Sequence, residues 1–156
     1  MSTFKICSGG QSGVDRAALD AARSLNIEHG GWCPKGRKAE DGTINPSYSL
    51  TETDSSDYLV RTRFNVRDSD GTLILYSSDL EGGTKYTYEY AHKIKKPVLL
   101  INLITSPDLK TVLDWILENK ITILNIAGPR ESKVPGIYIK TKKLISELIQ
   151  LTLELP

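Results

Sequence analysis

The sequence predicts a three-layer α/β protein: a mainly parallel sheet of about five strands with helices on both faces. Three observations carry this. Apolar runs of strand length alternate with stretches of helical periodicity, the pattern of βαβ units. Two of those runs, Gly71–Ser77 and Pro97–Leu103, are nearly continuous in apolar character, as parallel strands covered on both faces require. Two strand ends, moreover, run into glycine turns that open helices, Gly9-Gly10 and Gly82-Gly83. Together these describe a Rossmann-like arrangement.

The elements follow in order. Phe4 to Cys7 is the first strand, ending in Ser8-Gly9-Gly10. Beyond it Val14, Ala17, Ala18, Ala21, Ala22 and Leu25 recur at helical spacing and predict a helix from about Gly13 to Ser24. Its small alanine face suits close packing on a sheet. Ile27 to Trp32 is a second strand, weakened by Gly30-Gly31. The tract from Cys33 to Ser56 lacks periodicity. At roughly twenty residues it exceeds ordinary connections and reads as a functional loop. A helix from about Ser56 to Arg67 follows, with Ser55 or Ser56 as cap. Gly71–Ser77 is the third strand, about Thr84 to Ile94 the third helix, and Pro97–Leu103 the fourth strand. Ser106 caps a helix through Asn119, with Pro107 at its first position. Ile121 to Ile126 is the fifth strand, and the last helix spans about Pro135 to Leu153. The expected strand order is 2-1-3-4-5, which needs only right-handed crossovers. It would set the turn after strand 1 beside the turn after strand 3, flanking one crevice.

One domain covering residues 1–156 is expected, since no repeat or composition break divides the chain. Twenty basic against nineteen acidic residues give a net charge of +1, so no global field argues for nucleic acid or a membrane surface. No apolar window approaches the length of a membrane span. The two cysteines, Cys7 and Cys33, make no disulfide framework. The reading is a soluble, cytoplasmic protein with reduced thiols.

The chemistry concentrates in Ser8-Gly9-Gly10-Gln11-Ser12-Gly13-Val14-Asp15-Arg16. Glycines admit a ligand close to the backbone, and a helix N-terminus offers free N–H groups to an anion. The pattern is neither the dinucleotide fingerprint nor a Walker loop. A purely structural turn has little need of Ser8, Gln11, Ser12, Asp15 and Arg16 together. Asp15 would repel a phosphate, so its expected role is orienting a ligand. Lys35, Arg37 and Lys38 bracket Gly36 in a composition suited to phosphate, or to an ordinary basic loop. Ser77, Gly82, Gly83 and Thr84 form the second turn of the crevice. Arg61 and Asn65 lie four apart on one helix face, solvated or turned to a ligand. His29 and Cys33 are too few for a transition-metal site, and no metal is expected. No serine stands in a Gly-x-Ser-x-Gly elbow. Tyr86, Tyr88 and Tyr90 do not share a helical face, which an interface in a homo-oligomer would explain.

Several blocks in the same order resemble the putative molybdenum carrier family, a circularly permuted, YpsA-like branch of the SLOG group of Rossmann-like domains. They include Gly9 to Ala17, Gly31-Trp32-Cys33-Pro34-Lys35-Gly36-Arg37, Glu40-Asp41-Gly42, Arg61-Thr62, Ser69-Asp70-Gly71-Thr72, Gly82-Gly83-Thr84 and Gly128-Pro129-Arg130-Glu131-Ser132. The resemblance implies relatedness to proteins that bind molybdenum cofactor, and more widely to binders of nucleotides. It favours ligand contact for Arg61. In the related phosphoribohydrolases a Gly-Gly turn opens a helix bearing a catalytic glutamate. Gly82-Gly83 followed by Glu89 resembles that spacing, with Lys85 and Tyr86 in place of the motif's third glycine and its threonine.

Three functions follow as expectations. The first is binding of a phosphate-bearing small molecule, a nucleotide or molybdenum cofactor, at the glycine turns. The second is hydrolysis of an N-glycosidic bond in a nucleoside monophosphate, with Glu89 as catalytic carboxylate and Arg61 as phosphate anchor. The third is a regulatory protein that binds a partner through its tyrosine-rich helix.

Overall fold

The computed structural model describes residues 3–155. The chain opens with β1 (Lys5–Cys7), α1 (Val14–Ser24) and β2 (Glu28–Gly30). At Gly31 the expected second strand breaks. Its remainder becomes β3 (Trp32–Cys33), followed by a 3₁₀ turn over Lys35–Arg37, a hairpin of β4 (Lys38–Ala39) and β5 (Gly42–Thr43), and β6 (Thr51–Glu52). β3 pairs with β6, so the tract without periodicity is a small ordered substructure beside the main sheet. Then come α2 (Tyr58–Arg67), β7 (Gly71–Tyr76), α3 (Gly82–Lys93), β8 (Val98–Asn102), α4 (Leu109–Glu118), β9 (Ile123–Ala127) and α5 (Ile137–Leu153).

The main sheet is parallel throughout, in the order β2-β1-β9-β7-β8. The order expected from the sequence is therefore wrong in one respect. The last strand does not lie at the far edge but sits between β1 and β7. Both apolar runs read alike as buried strands, and nothing local to either says which lies inside. Packing decides it: α5 lies against α1, which carries β9 to the flank of β1. Asp70 fixes the other flank, accepting from Thr122 N (3.0 Å) and Ile123 N (2.8 Å).

α1, α4 and α5 cover one face. Their Ala18, Ala21, Ala22, Val112, Ile116, Ile145, Leu148 and Ile149 pack on Ile6, Leu73, Leu75, Leu124 and Ile126 in the main core. The four alanines of α1 are fully buried, which is why that helix has so small a face. α2 and α3 pack together on the opposite face.

Two caps differ from expectation. Asp57, not a serine, caps α2 by accepting from Leu59 N (2.9 Å). Asp108, not Ser106, caps α4 by accepting from Lys110 N (3.0 Å). In both places a carboxylate nearer the helix outcompetes the hydroxyls, since it adds charge to the helix end. On α3 the rings of Tyr86 and Tyr90 stack at 6.1 Å, while Tyr88 meets His92 edge-on at 4.5 Å. All three tyrosines are half-buried, so these rings do not by themselves call for a second copy of the chain. Among the described residues no helix is long and apolar enough to cross a membrane.

Candidate functional site

The ordered tract is held by its own side chains. Arg37 donates to four main-chain carbonyls, those of Ile44 (3.1 Å), Asn45 (2.8 Å), Tyr48 (3.0 Å) and Leu50 (3.3 Å). This fork ties the loop into a knot and leaves the guanidinium little capacity for phosphate. The tract then clamps on the first glycine turn. Arg16 bridges the Gly10 carbonyl (2.9 and 3.1 Å) and the Asp41 carboxylate (2.9 and 3.2 Å). Gln11 Nε2 donates to Lys38 O (3.0 Å), and Ser12 Oγ donates to Glu40. Gly10 has φ +78°, and a Cβ there would stand 2.6 Å from Leu50 Cδ1. Its missing side chain thus makes room for the tract.

Nor is the N-terminus of α1 open to an anion. Gly13 lets the chain pass against the loop after β9, where a Cβ would lie 2.5 Å from Pro129 O, and Val14 N donates to that carbonyl (3.3 Å). The first glycine turn abuts the loop of the inserted strand, while its Gln11 and Asp15 share a cavity with Ser77, Gly83 and Thr84 of the second.

The cavity of interest, about 690 Å³, lies at the carboxyl ends of the strands. Gln11 and Asp15 come from the first turn, Ser77 and Asp79 from the end of β7, Gly83 and Thr84 from α3, Arg61 from α2, and Gly128 to Arg130 with Lys133 from the loop after β9. No side chain caps α3, whose first turn therefore presents free N–H groups there. Arg61 crosses Gly9, where any Cβ would strike its guanidinium, and pairs with Asp15 at 3.3 Å. Burial pushes the Asp15 carboxyl up, opposed by Arg61 and by the Gln11 N–H. Arg61 Nε and Gln11 Oε1 are buried without partners.

The structure thus brings together Gln11, Asp15, Arg61, Ser77, Gly83 and Thr84. Gly82 stands at the same helix end. Ser12, Gly13 and Arg16 border a second depression, whose Glu40 and Asp20 are taken up by Ser12, Ser132, Tyr48 and Tyr138. Lys35 and Arg37 line neither hollow, and Glu89 is exposed on α3 away from both. Asp79, Glu81, Arg130 and Lys133 line the cavity and were not among the residues sequence reasoning singled out as site members. The Gly-Pro break after the fifth strand is a signal for Arg130 and Lys133 only once that strand is known to be central. Among the described residues no cluster of His, Cys, Asp and Glu could hold a metal ion. Burial raises the Cys7 thiol to about 11, as for a packing residue.

A parallel sheet with a crevice across its carboxyl ends, at a point where the strand order reverses, defines the doubly wound Rossmann-like class, whose crevices of this kind take ligands. Within it the chain belongs to the circularly permutated YpsA SLOG family, whose sequence profile it matches over residues 6–149. A solved structure described as a putative molybdenum carrier protein from Syntrophus aciditrophicus SB superposes with a TM-score of 0.87. The two are 45% identical, over 97% of this chain and 95% of that one. No curated protein matches the chain.

Proposed function

We propose that the protein binds a phosphate-bearing small molecule, a nucleotide or a molybdenum-cofactor-like compound, in the cavity between the first glycine turn and α3. One observation carries the reading: the uncapped N-terminus of α3, with Gly83 and Thr84, opens into a cavity that also receives Arg61. A helix end with free N–H groups favours an anion, and Lys133 Nζ, 3.5 Å from where a Cβ on Gly82 would stand, adds an ammonium group beside it. The name given to the Syntrophus relative points to the same class of ligand. The anion site is then the second glycine turn, not the first. Binding is favoured over hydrolysis by Glu89, because that carboxylate lies outside the cavity lining.

The test is mass spectrometry of small molecules released from gently denatured protein, for wild type and Gly83→Leu. A Cβ on Gly83 meets nothing within 4 Å, so the substitution brings no clash at the Cβ while adding bulk at the open helix end. A phosphorylated compound in wild type, absent from a variant with unchanged thermal midpoint, is the expected result. Equal occupancy in both would count against this site.

A further inference from the structure

The charge of the lining limits what the cavity can hold. Its described residues supply four carboxylates, Asp15, Asp57, Asp79 and Glu81, against three cations, Arg61, Arg130 and Lys133. Several are already committed. Arg61 pairs with Asp15, Asp57 caps α2, and Arg130 Nε lies 4.0 Å from Glu40. Among the described residues the side chains of Lys133, Asp79 and Glu81 have no partner, and all three are exposed. Lys133 Nζ stands 3.5 Å from where a Cβ on Gly82 would be, beside the free N–H groups of α3. In the same cavity Gln11, only 3% exposed, keeps its side-chain carbonyl without a donor. Its Nε2 is fixed on Lys38 O, so the amide is held in that orientation. A buried acceptor of this kind calls for an N–H or O–H from outside the chain.

Building on the binding reading above, we propose that the cavity selects a phosphomonoester over di- and triphosphates. Lys133 is the anion anchor, and Asp79 and Glu81 are the charges that set the limit. One ammonium group and the partial positive charge of a helix end match a single phosphate group. Each further phosphate adds negative charge to a lining whose four carboxylates already outnumber its three cations, with Asp79 and Glu81 unpaired among them. Selection here works by repulsion of the wrong ligand as much as by attraction of the right one. Gln11 adds a demand for a donor on the body of the ligand. Nucleoside monophosphates and phosphorylated pterins share this chemistry.

The experiment is calorimetric titration of the full chain with the mono-, di- and triphosphates of adenosine and guanosine, ribose 5-phosphate, inorganic phosphate and pyrophosphate, each with and without Mg²⁺. Monoesters should bind at least about tenfold more tightly than their triphosphates. Lys133→Ala should weaken the monoester about tenfold, and Lys133→Arg should restore most of it. Asp79→Asn with Glu81→Gln should narrow the gap by strengthening the triphosphate. All three positions are exposed, so the variants should keep the fold. Equal affinity for triphosphates, with or without Mg²⁺, or no effect of Lys133→Ala, overturns the selection while leaving phosphate binding in place. Binding of none of the phosphate compounds overturns the binding reading itself. The compound released from purified protein separates a nucleotide from a pterin source.

Discussion

Gly9 shows how much one missing carbon can decide. Arg61 reaches Asp15 only by passing over the Gly9 Cα, and a methyl group there would occupy the space of its guanidinium. In Gly9→Ala the arginine end must swing away and leave the buried Asp15 carboxylate without its paired cation, with the Gln11 N–H still donating to it. Removing one partner of a buried pair is costly even where the pair itself adds little. The sign of the pH dependence follows. Burial already holds the Asp15 carboxyl above its ordinary value, with Arg61 opposing. Without Arg61 the shift grows. A carboxyl raised in the folded state contributes stability below its unfolded pKa and loses it as pH rises through the folded value. The deficit of Gly9→Ala against wild type should thus be small near pH 4 and grow toward neutrality, read from urea midpoints across pH. A deficit constant with pH would mean that Asp15 does not respond to the loss of Arg61. Gly10, next along, answers to different neighbours, because its side-chain space belongs to Leu50 and Ile44. Two adjacent glycines that look equivalent in the sequence serve a cation and a loop respectively.

At the scale of elements, Asp70 has the opposite pH behaviour. It closes the junction of β7 and β9 by accepting from Thr122 N, Thr122 Oγ1 and Ile123 N. Burial pushes its carboxyl up, but these hydrogen bonds outweigh that and hold it below the ordinary range. Its contribution is present above the unfolded pKa and is lost as pH falls through the folded one. Asp70→Ala should cost about 1–2 kcal/mol at pH 7, discounted for partial exposure, and the deficit should begin to shrink below about pH 4 and go on shrinking as pH falls through the lowered folded value. Denaturant titrations at pH 7 and at about pH 2 check this. A deficit equal at both would assign the effect to the turn and not to the charge. The elements themselves were legible because their signals are local: the alanine periodicity of α1, and the unbroken apolar runs of β7 and β8. The pairing of β3 with β6 was not, since each offers only two residues, joined by Thr51 N donating to Gly31 O and Thr53 N donating to Cys33 O.

For the whole molecule, the sequence reveals the number of strands in the main sheet but not their neighbours. Order depends on which helices pack together, and the contact of α1 with α5 joins residues more than a hundred positions apart. The site inherits this. Gln11, Asp15, Ser77, Gly83 and Thr84 were legible as glycine-turn residues, and Arg61 through its family block. Lys133 and Arg130 come from a loop that matters only because β9 is central. Arg16 is held by Gly10 O and Asp41, and Arg37 by four loop carbonyls, for a physical reason. An arginine beside glycines serves a phosphate or a main-chain carbonyl equally well, and only the fold decides which is nearer.

The central place of β9 also has a history in time, because a ribosome releases the chain from its N-terminus. When Glu118 has emerged, four of the five sheet strands exist, yet β1 has only β2 to pair with and β7 only β8. The two pairs have no ladder in common until residues 123–127 appear and fill the gap between them. Until then each pair presents an open, apolar edge, the kind of surface that recruits chaperones or other nascent chains. The expected behaviour of a chain stopped after Glu118 is therefore loss of the cooperative thermal transition, not a smaller folded core. A sharp, two-state melt of that fragment would show that one half of the sheet is a folding unit in its own right. The sheet thus cannot close until residues 123–127 have been made, and β9 is its keystone.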